Sequence, residues 1–546
     1  MRLLLFQPPV QDFYDTDIRL QPIGLCYLKA AVKKHLPDVE VIVKDFHQGR
    51  GRRTISLPGE LKYLEDYYIG PDKSPFSAFH HYYHFGASFE AVADEVSETK
   101  PDLVGISSLF SPYYREVLRC AEAVKKKLAA PILIGGPHAS AAPLLMLGNS
   151  CVDFLIRGEG ERPLVEFLRA WTGNREFAEV PNLGFKENGV PVLNKIEPNC
   201  PIEEIPRPDF SDLDPGNYCF EKQPMSFIIT SRGCPHHCSF CSVHLTFGDR
   251  YRKRSVEDIV AEIEARVREG IRVFDFEDDN LTFYISEMKA LCKELIKRFS
   301  GKDIRLLAMN GISYLSLDPE LLELMKRAGF SHLNISLVST EEGLLRSNRR
   351  PYSAEKYVEI VRGAARLGFK TVSYHILGFP GASLESMTET LIRMAQLPVL
   401  IGSSPFYLTP HSPIAEKFPP PDEEDIFKSR LTAMAIESEH FKREDIYTLF
   451  VTARILNFLK GIQLNGESGT LRDVFEILEN SDKRQALGGE LLARLLSERK
   501  LYAVIRNERR LLPKFKADLF FRIWDKLDFI ATQNNQKIYG VTPLFA

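Results

Sequence analysis

The chain has 546 residues, more than one hydrophobic core absorbs, so several domains are expected. With 44% hydrophobic and 26% charged residues its composition is that of a globular protein, and 70 basic against 73 acidic side chains give a net charge of -3. That balance removes any overall electrostatic reason to bind nucleic acid or an anionic membrane and makes a small molecule the expected partner.

No run of about 18 apolar residues is present, and Met1 leads straight into a strand-like run. Neither a membrane span nor a leader is therefore expected, and the chain is assigned to the cytoplasm. Nine cysteines are an odd number without framework spacing, and three of them crowd into residues 234–241. In a reducing compartment such a cluster reads as metal-binding.

In chain order, apolar runs at 2–6, 103–107, 131–134 and 154–156 read as buried parallel strands, with Val39–Val43 a further candidate. Amphipathic stretches such as 114–128 lie between them, the alternation of a doubly wound sheet. The runs end at Gln7-Pro8-Pro9, Ser107-Ser108, Gly135-Gly136-Pro137-His138 and Gly158-Glu159-Gly160-Glu161. Residues of this kind let a ligand approach the backbone at the carboxyl ends of the strands, and four such ends imply a broad ligand. Each motif alone is more often a tight turn than a site. Residues 50–98 crowd aromatics into their middle, from Tyr63 to Phe85, and read either as a flap over a ligand or as a satellite core.

Residues 181–201 read as a hairpin, and a stretch rich in turn residues reaches Asp214. A strand at 227–231 then leads into Cys234-Pro-His-His-Cys238-Ser-Phe-Cys241. Three thiolates at this spacing fit one loop around an iron–sulfur cube whose fourth iron has no protein ligand. With His236, His237 and His244 nearby, a Cys₃His zinc site is the alternative. Strands at 273–276, 305–308, 333–337, 371–377 and 405–408 follow, alternating with helices near 256–267, 286–299, 320–328, 353–367 and 384–396. Six strand–helix units make a partial TIM-like barrel with its chemistry at the carboxyl strand ends. After Pro419-Pro-Pro421 come helical stretches at 424–438, 446–463, 471–480 and 488–506, and Trp524 lies near a last helix.

The cysteine motif, with Phe240 before its third cysteine, closely resembles that of the radical S-adenosylmethionine (SAM) superfamily. The order Pro22-Ile-Gly24-Leu25, Asp102 to Ser107, Gly135 to His138, Asp153 and Gly158 to Glu161 resembles the cobalamin-binding domain carried by one large class of those enzymes. The fold class implied is α/β: a Rossmann-like doubly wound cobalamin domain at 1–180, a hairpin and linker at 181–224, a partial (β/α)₆ radical SAM barrel at 225–420 and a helical domain at 421–546.

The resemblance implies three cofactors, a [4Fe-4S] cluster on Cys234, Cys238 and Cys241, SAM and cobalamin. Phe240, Glu277, Asp278, Ser336 and Gly378 are the implied SAM contacts, and Pro8, Gly24, Ser107, Ser108, Gly135, Gly136, His138, Gly158, Glu159 and Gly160 the implied cobalamin contacts. Ala382 and Val338-Ser339 depart from the family's pattern near SAM. Gln7-Pro8-Pro9 stands where methionine-synthase-like domains carry a cobalt-ligating histidine, so no protein histidine on cobalt is expected. Asp45-Phe-His47-Gln-Gly49 is one residue short of that motif, and His47 is read as a surface residue.

The implied function is methyl transfer to an unactivated carbon or phosphorus of a small molecule, by way of a 5′-deoxyadenosyl radical and methylcobalamin. A flavodoxin- or ferredoxin-type protein would supply electrons. A cobalamin-dependent radical cyclase, oxidase or ring-rearranging enzyme is the first alternative, and a non-catalytic cobalamin-binding or zinc-stabilised module the second. A methylthiotransferase is disfavoured, since no second three-cysteine cluster stands in the N-terminal part and the tail reads as helical.

Overall fold

The computed structural model describes residues 1–14 and 20–540. The chain gathers into two compact units, the first built from residues 1–56, 82–274 and 408–429, the second from 57–81, 275–407 and 430–546.

The first unit is organised by a seven-stranded sheet. Its strands are β1 (Arg2–Gln7), β3 (Glu40–Asp45), β6 (Leu103–Ser107), β7 (Ile132–Gly135), β8 (Phe154–Ile156), β9 (Leu183–Glu187) and β10 (Val190–Leu193). They lie in the order β10-β9-β8-β7-β6-β1-β3, with β3 and β10 at the edges. The five strands from β8 to β3 are parallel, and the β9–β10 hairpin closes one side antiparallel. Helices α1 (Ile23–His35), α2 (Phe89–Glu98), α3 (Tyr114–Lys127), α4 (Pro137–Ala141), α5 (Pro143–Gly148) and α6 (Glu161–Thr172) connect them. One core packs Leu3, Leu5, Val32, Val43, Leu103 and Phe167, all at most 2% exposed. Continuous apolar runs fold this way because both faces of a parallel sheet are covered.

A side sheet of β2 (Val10–Asp12), β4 (Arg52–Thr54) and β5 (Tyr83–Phe85) had no counterpart in the sequence reading. It is stitched by Tyr82 Oη donating to Gln11 O at 3.2 Å and Tyr113 Oη donating to Asp12 Oδ2 at 2.8 Å. His47, expected on the surface, is 3% exposed: its ring meets the edge of Phe85 at 6.2 Å and its backbone N–H donates to the Asp45 carboxylate at 2.8 Å.

Also in this unit lie β11 (Cys219–Phe220), β12 (Gln223–Ile228), β13 (Ser231–Arg232), α7 (Val243–Phe247), β14 (Arg252–Lys253), α8 (Val256–Arg268) and the first half of β15 (Val273–Phe276). The strand expected at 227–231 is thus shifted toward the N-terminus and followed by the separate two-residue β13. Ser255 caps α8 by accepting from the Asp258 N–H at 3.1 Å.

The second unit holds the rest of the strand–helix repeats. They are α9 (Ile285–Phe299), β16 (Arg305–Leu307), α10 (Pro319–Ala328), β17 (His332–Val338), α11 (Glu342–Ser347), α12 (Ala354–Arg366), β18 (Lys370–Leu377), α13 (Leu384–Ala395) and β19 (Leu400–Pro405). Strands β17, β18 and β19 pair in parallel. Asp318 opens α10 by accepting from the Leu321 N–H at 2.7 Å, and Gly329 ends it in the left-handed conformation. The six strands expected for the barrel are all present in the chain. The last lies at 400–405 rather than 405–408, because Gly402 lets the strand lie against Tyr374, where an added Cβ would come within 2.4 Å of the ring.

The C-terminal region is helical at Arg443–Lys460, Leu471–Glu479, Lys483–Glu498 and Ala517–Trp524, with short strands between. Two expectations are corrected here. The helix at 424–438 shrinks to Glu423–Phe427, within the first unit, and one 3₁₀ turn, Leu431–Ala433. The helix ending at 506 stops at Glu498, where Arg499 takes φ +55°, and a hairpin of Tyr502–Ile505 with Glu508–Leu511 turns on Arg506 and Asn507, both at positive φ. Two positive-φ residues between paired strands are the requirement of a tight hairpin turn, which outweighs helix propensity.

The aromatic insertion is divided. Tyr63 and Tyr68 donate from their hydroxyls to Ala433 O at 2.7 Å and Thr432 O at 2.6 Å, and Phe76 and Phe79 meet Phe458 and Phe450 in the second unit. This is the packing of a satellite core. Lys460, 1% exposed, donates its Nζ to the carbonyls of Ala395, Leu397 and Ala531 at 2.7–2.9 Å, while burial pulls its pKa down.

Candidate functional site

Chain order across the first sheet reverses at β1, which has β3 on one side and β6 on the other. At such a switch point the connections leave in opposite directions and open a crevice beyond the strand ends. Pro8 follows β1, Ser107 ends β6 with Ser108 just beyond it, and Gly135 ends β7 with Gly136 just beyond it. The loops are knitted together by their own backbone: Ser108 N–H donates to Gly135 O at 2.7 Å, His138 N–H to Ser108 O at 3.0 Å, and Gly158 N–H to Ser140 Oγ at 2.8 Å. Gly24 stands apart from this weave, in the first turn of α1, with nothing within 4 Å of where a Cβ would be.

One observation fits the crevice to a polar ligand, and a second shows how tightly its wall is packed. Ser108 Oγ and His138 Nε2 are both buried and have no hydrogen-bond partner within the protein. Gly136 has φ +111° and ψ 177°, and a Cβ there would lie 2.7 Å from Ser108 O. The close approach of the Ser108 backbone, together with this conformation, thus demands glycine at the turn. His138 Nδ1 lies 3.0 Å from Ser111 Oγ, and burial pushes its pKa down to about 4, so it faces the crevice as a neutral imidazole. These residues fit the polar periphery of a broad cofactor. The side chain of Glu159 is differently engaged: it is buried, Arg252 and Arg232 grip its carboxylate, and burial pushes its carboxyl pKa up while those charges oppose it.

The cysteine loop springs from the β13–β14 ladder, in which Ser231 pairs with Lys253 and Arg232 with Arg252. Cys238 is 6% exposed, Cys234 and Cys241 are part-buried, and Cys241 N–H donates to Cys238 O at 3.1 Å. Ile414 N–H donates to Ser239 O at 2.7 Å and backs the loop from the segment after the last barrel strand. Among the described residues no three His, Cys, Asp or Glu side chains converge on a point that would hold a single ion. Three cysteines on one loop are the ligand set of a cluster in which each takes a different iron. Phe240, in the same loop, is part-buried.

In the second unit, Asp275 in β15 accepts from the Met309 N–H at 3.0 Å, and Asp278 O accepts from Asn310 Nδ2 at 3.2 Å. Asp278 is 2% exposed, whereas Glu277 is part-buried. Ser336 is part-buried and its carbonyl accepts from Arg350 at 2.9 Å. The β17–β18 register breaks between Ser336 and Val338, and Val338 takes φ +73°, a costly conformation for a β-branched residue at a strand end. Gly378, at φ +72°, is packed against Ile446 and Phe441, which would lie 3.0 and 3.2 Å from an added Cβ. Packing alone therefore demands glycine there.

Sequence reasoning passed over Arg232 and Arg252 as sites, although a basic residue on each side of the cysteine motif was visible. It also passed over His375 in β18, buried with its Nε2 2.6 Å from Ser403 Oγ and its pKa pushed down by burial to about 3. A lone histidine in a strand carries no sequence signal of its own.

Residues 228–394 match the Radical SAM superfamily, and residues 65–168 match the B12 binding domain. The chain is a radical SAM enzyme with a B12-binding domain. A [4Fe-4S] cluster, SAM and cobalamin are the cofactors of these two domain types. This radical SAM enzyme is 30% identical to an uncharacterized methyltransferase of Pyrococcus horikoshii over 56% of its own chain and 66% of the relative. It is 26% identical to the cytidylyl-2-hydroxyethylphosphonate methyltransferase of Streptomyces wedmorensis over 71% of its chain and 75% of the relative. It is also 28% identical to the anaerobic magnesium-protoporphyrin IX monomethyl ester cyclase of Cereibacter sphaeroides, over 56% of its chain and 51% of the relative. The alignments thus span between about half and three quarters of these relatives. In fold it is similar to the radical SAM methyltransferase TsrM of Kitasatospora setae, solved with tryptophan and a SAM analogue, with a TM-score of 0.59 at 20% identity over 76% of each chain. Among the described residues no helix is long and apolar enough to cross a membrane.

Proposed function

We propose that this enzyme methylates an unactivated carbon, or a phosphorus, of a small molecule, with SAM and cobalamin serving one reaction. The observation that carries the reading lies inside one compact unit: the cysteine loop is ion-paired, through Arg232 and Glu161 at 2.6 Å, to the turn that follows β8 at the carboxyl end of the B12-type sheet. The methyltransferases among its relatives support the same reading.

When bound, the cluster and SAM supply a hydrogen-abstracting radical and cobalamin supplies a transferable methyl group. The protein's part is to hold and orient. Cys234, Cys238 and Cys241 offer three thiolates, and Phe240 an aromatic face beside them. Glu277 and Asp278 would accept hydrogen bonds from the SAM ammonium, with Ser336 in β17 and Gly378 after β18 as further contacts. Ser108 Oγ and neutral His138 Nε2 would satisfy polar groups of the cobalamin, and Pro8, Ser107, Gly135, Gly136, Gly158 and Gly160 would give it backbone to rest on. The domain limits of the sequence reading, near 180, 225 and 420, an electron donor of flavodoxin or ferredoxin type and a cytoplasmic location belong to the same proposal.

Anaerobic reconstitution with iron, sulfide and cobalamin, then reduction in the presence of SAM, tests it by mass spectrometry. Methyl transfer yields both S-adenosylhomocysteine and 5′-deoxyadenosine, and the Cys234→Ala/Cys238→Ala/Cys241→Ala variant yields no 5′-deoxyadenosine. The cyclase relative favours a second reading, a cobalamin-dependent cyclisation or oxidation. That reading gains if 5′-deoxyadenosine forms without S-adenosylhomocysteine. Zinc at the cysteines with neither product refutes both.

A further inference from the structure

Across the β13–β14 ladder Arg232 stands directly opposite Arg252. Like charges facing each other at that spacing drive a two-residue ladder apart. Here they are bridged by two carboxylates from the turn after β8. Arg232 Nη2 donates to Glu161 Oε1 at 2.6 Å and its Nη1 lies 3.5 Å from Glu159. Arg252 Nη1 donates to Glu159 Oε2 at 3.1 Å and to Cys200 O at 2.9 Å, and its Nη2 pairs with the other Glu159 oxygen. Arg232, Glu159 and Glu161 are 5%, 5% and 7% exposed, and the Arg232 guanidinium lies 4.8 Å over the Tyr27 ring of α1. Buried charges persist only when paired this closely, and removing one side strands the other.

We propose that Glu159 and Glu161 are positioning residues for the cysteine loop. Their carboxylates hold together the two arms from which residues 233–251 project, so the end of the B12-type sheet sets where Cys234, Cys238 and Cys241 stand. This deepens the proposed function and rests on its reading of that loop as the cluster loop. It also gives the Glu159 side chain a different partner from cobalamin.

The test is the full chain carrying Glu159→Gln/Glu161→Gln, with Arg252→Gln added as the rescue. In the apo protein, hydrogen exchange of peptides covering 230–253 becomes at least ten-fold faster in the double variant and returns toward the parent rate in the triple one, because one of the two facing charges is gone. After reconstitution, iron per chain falls in the double variant and recovers in the triple. The EPR change of the reduced cluster on adding SAM is lost and regained in step. Cobalamin affinity, titrated by absorbance, is unchanged throughout. Unaltered exchange, or no rescue by Arg252→Gln, overturns the proposal; so does a ten-fold loss of cobalamin affinity with exchange intact, which makes Glu159 a ligand contact. If circular dichroism shows the double variant unfolded, Glu161→Gln alone is read against Glu161→Gln/Arg252→Gln. Failure of the parent itself to take up iron sinks the cluster reading while leaving the exchange result to judge the clasp.

Discussion

Replacing Gly136 by alanine probes the crevice at the end of β7 at a single atom. The native backbone, at φ +111° and ψ 177°, lies where alanine pays about 1–3 kcal/mol of strain, and the new Cβ would also meet Ser108 O at 2.7 Å. That oxygen accepts the His138 N–H, so the loop has no easy way to yield. Together these cost about 2–4 kcal/mol in urea denaturation, a large effect for one methyl group. Relaxing the clash also moves Ser108 Oγ and His138 Nε2, and losing hydrogen bonds of about 1 kcal/mol each weakens cobalamin roughly ten-fold or more. Gly24→Ala is the control: its Cβ meets nothing within 4 Å and helix α1 gains about 0.5 kcal/mol. The assay is an absorbance titration of cobalamin beside the urea curve. A Gly136→Ala protein with parent stability and parent affinity would refute the reasoning for the crevice, and weakened binding in Gly24→Ala alone would move the cofactor toward α1.

Lys460→Met keeps the length of the side chain but leaves the Ala395, Leu397 and Ala531 carbonyls without their shared donor, so about 3 kcal/mol or more of stability is lost, read from the urea midpoint. His375 is held near a pKa of about 3 against 6.5 for the free side chain, so between those values the unfolded chain binds the extra proton and stability falls as pH drops. This amounts to about 2 kcal/mol between about pH 6.5 and 4.5, and His375→Gln, which keeps a partner for Ser403, flattens that part of the profile. A slope unchanged by the substitution would assign the acid sensitivity to other groups.

The parallel strands of the first sheet and the barrel strands as far as β18 were legible because burial on both faces writes continuous apolar runs, and strand ends announce themselves through Gly, Pro and Ser. Strand β19 was misplaced because Leu400-Ile-Gly-Ser-Ser-Pro405 lacks such a run; its pairing depends on Gly402 admitting the Tyr374 ring, a tertiary fact. The side sheet of β2, β4 and β5 was invisible for a similar reason, since three-residue strands carry too little pattern. His47 was misjudged because a polar residue near a strand end looks exposed until Phe85, nearly forty residues on, returns to cover it. The cysteines were the plainest signal in the chain. The carboxylate clasp on Arg232 and Arg252 was not, because charges that meet across some seventy to ninety residues leave no spacing to read.

The two edges of the first sheet bear on how the protein behaves in crowded solution. At one edge β10 carries Pro191, which has no N–H to offer an incoming strand. At the other, β3 begins with Glu40 and carries Lys44, charges that a neighbouring strand would have to desolvate. Neither border is a template for adding strands from a second copy. Extension of this sheet by a second copy is therefore disfavoured at both of its ends.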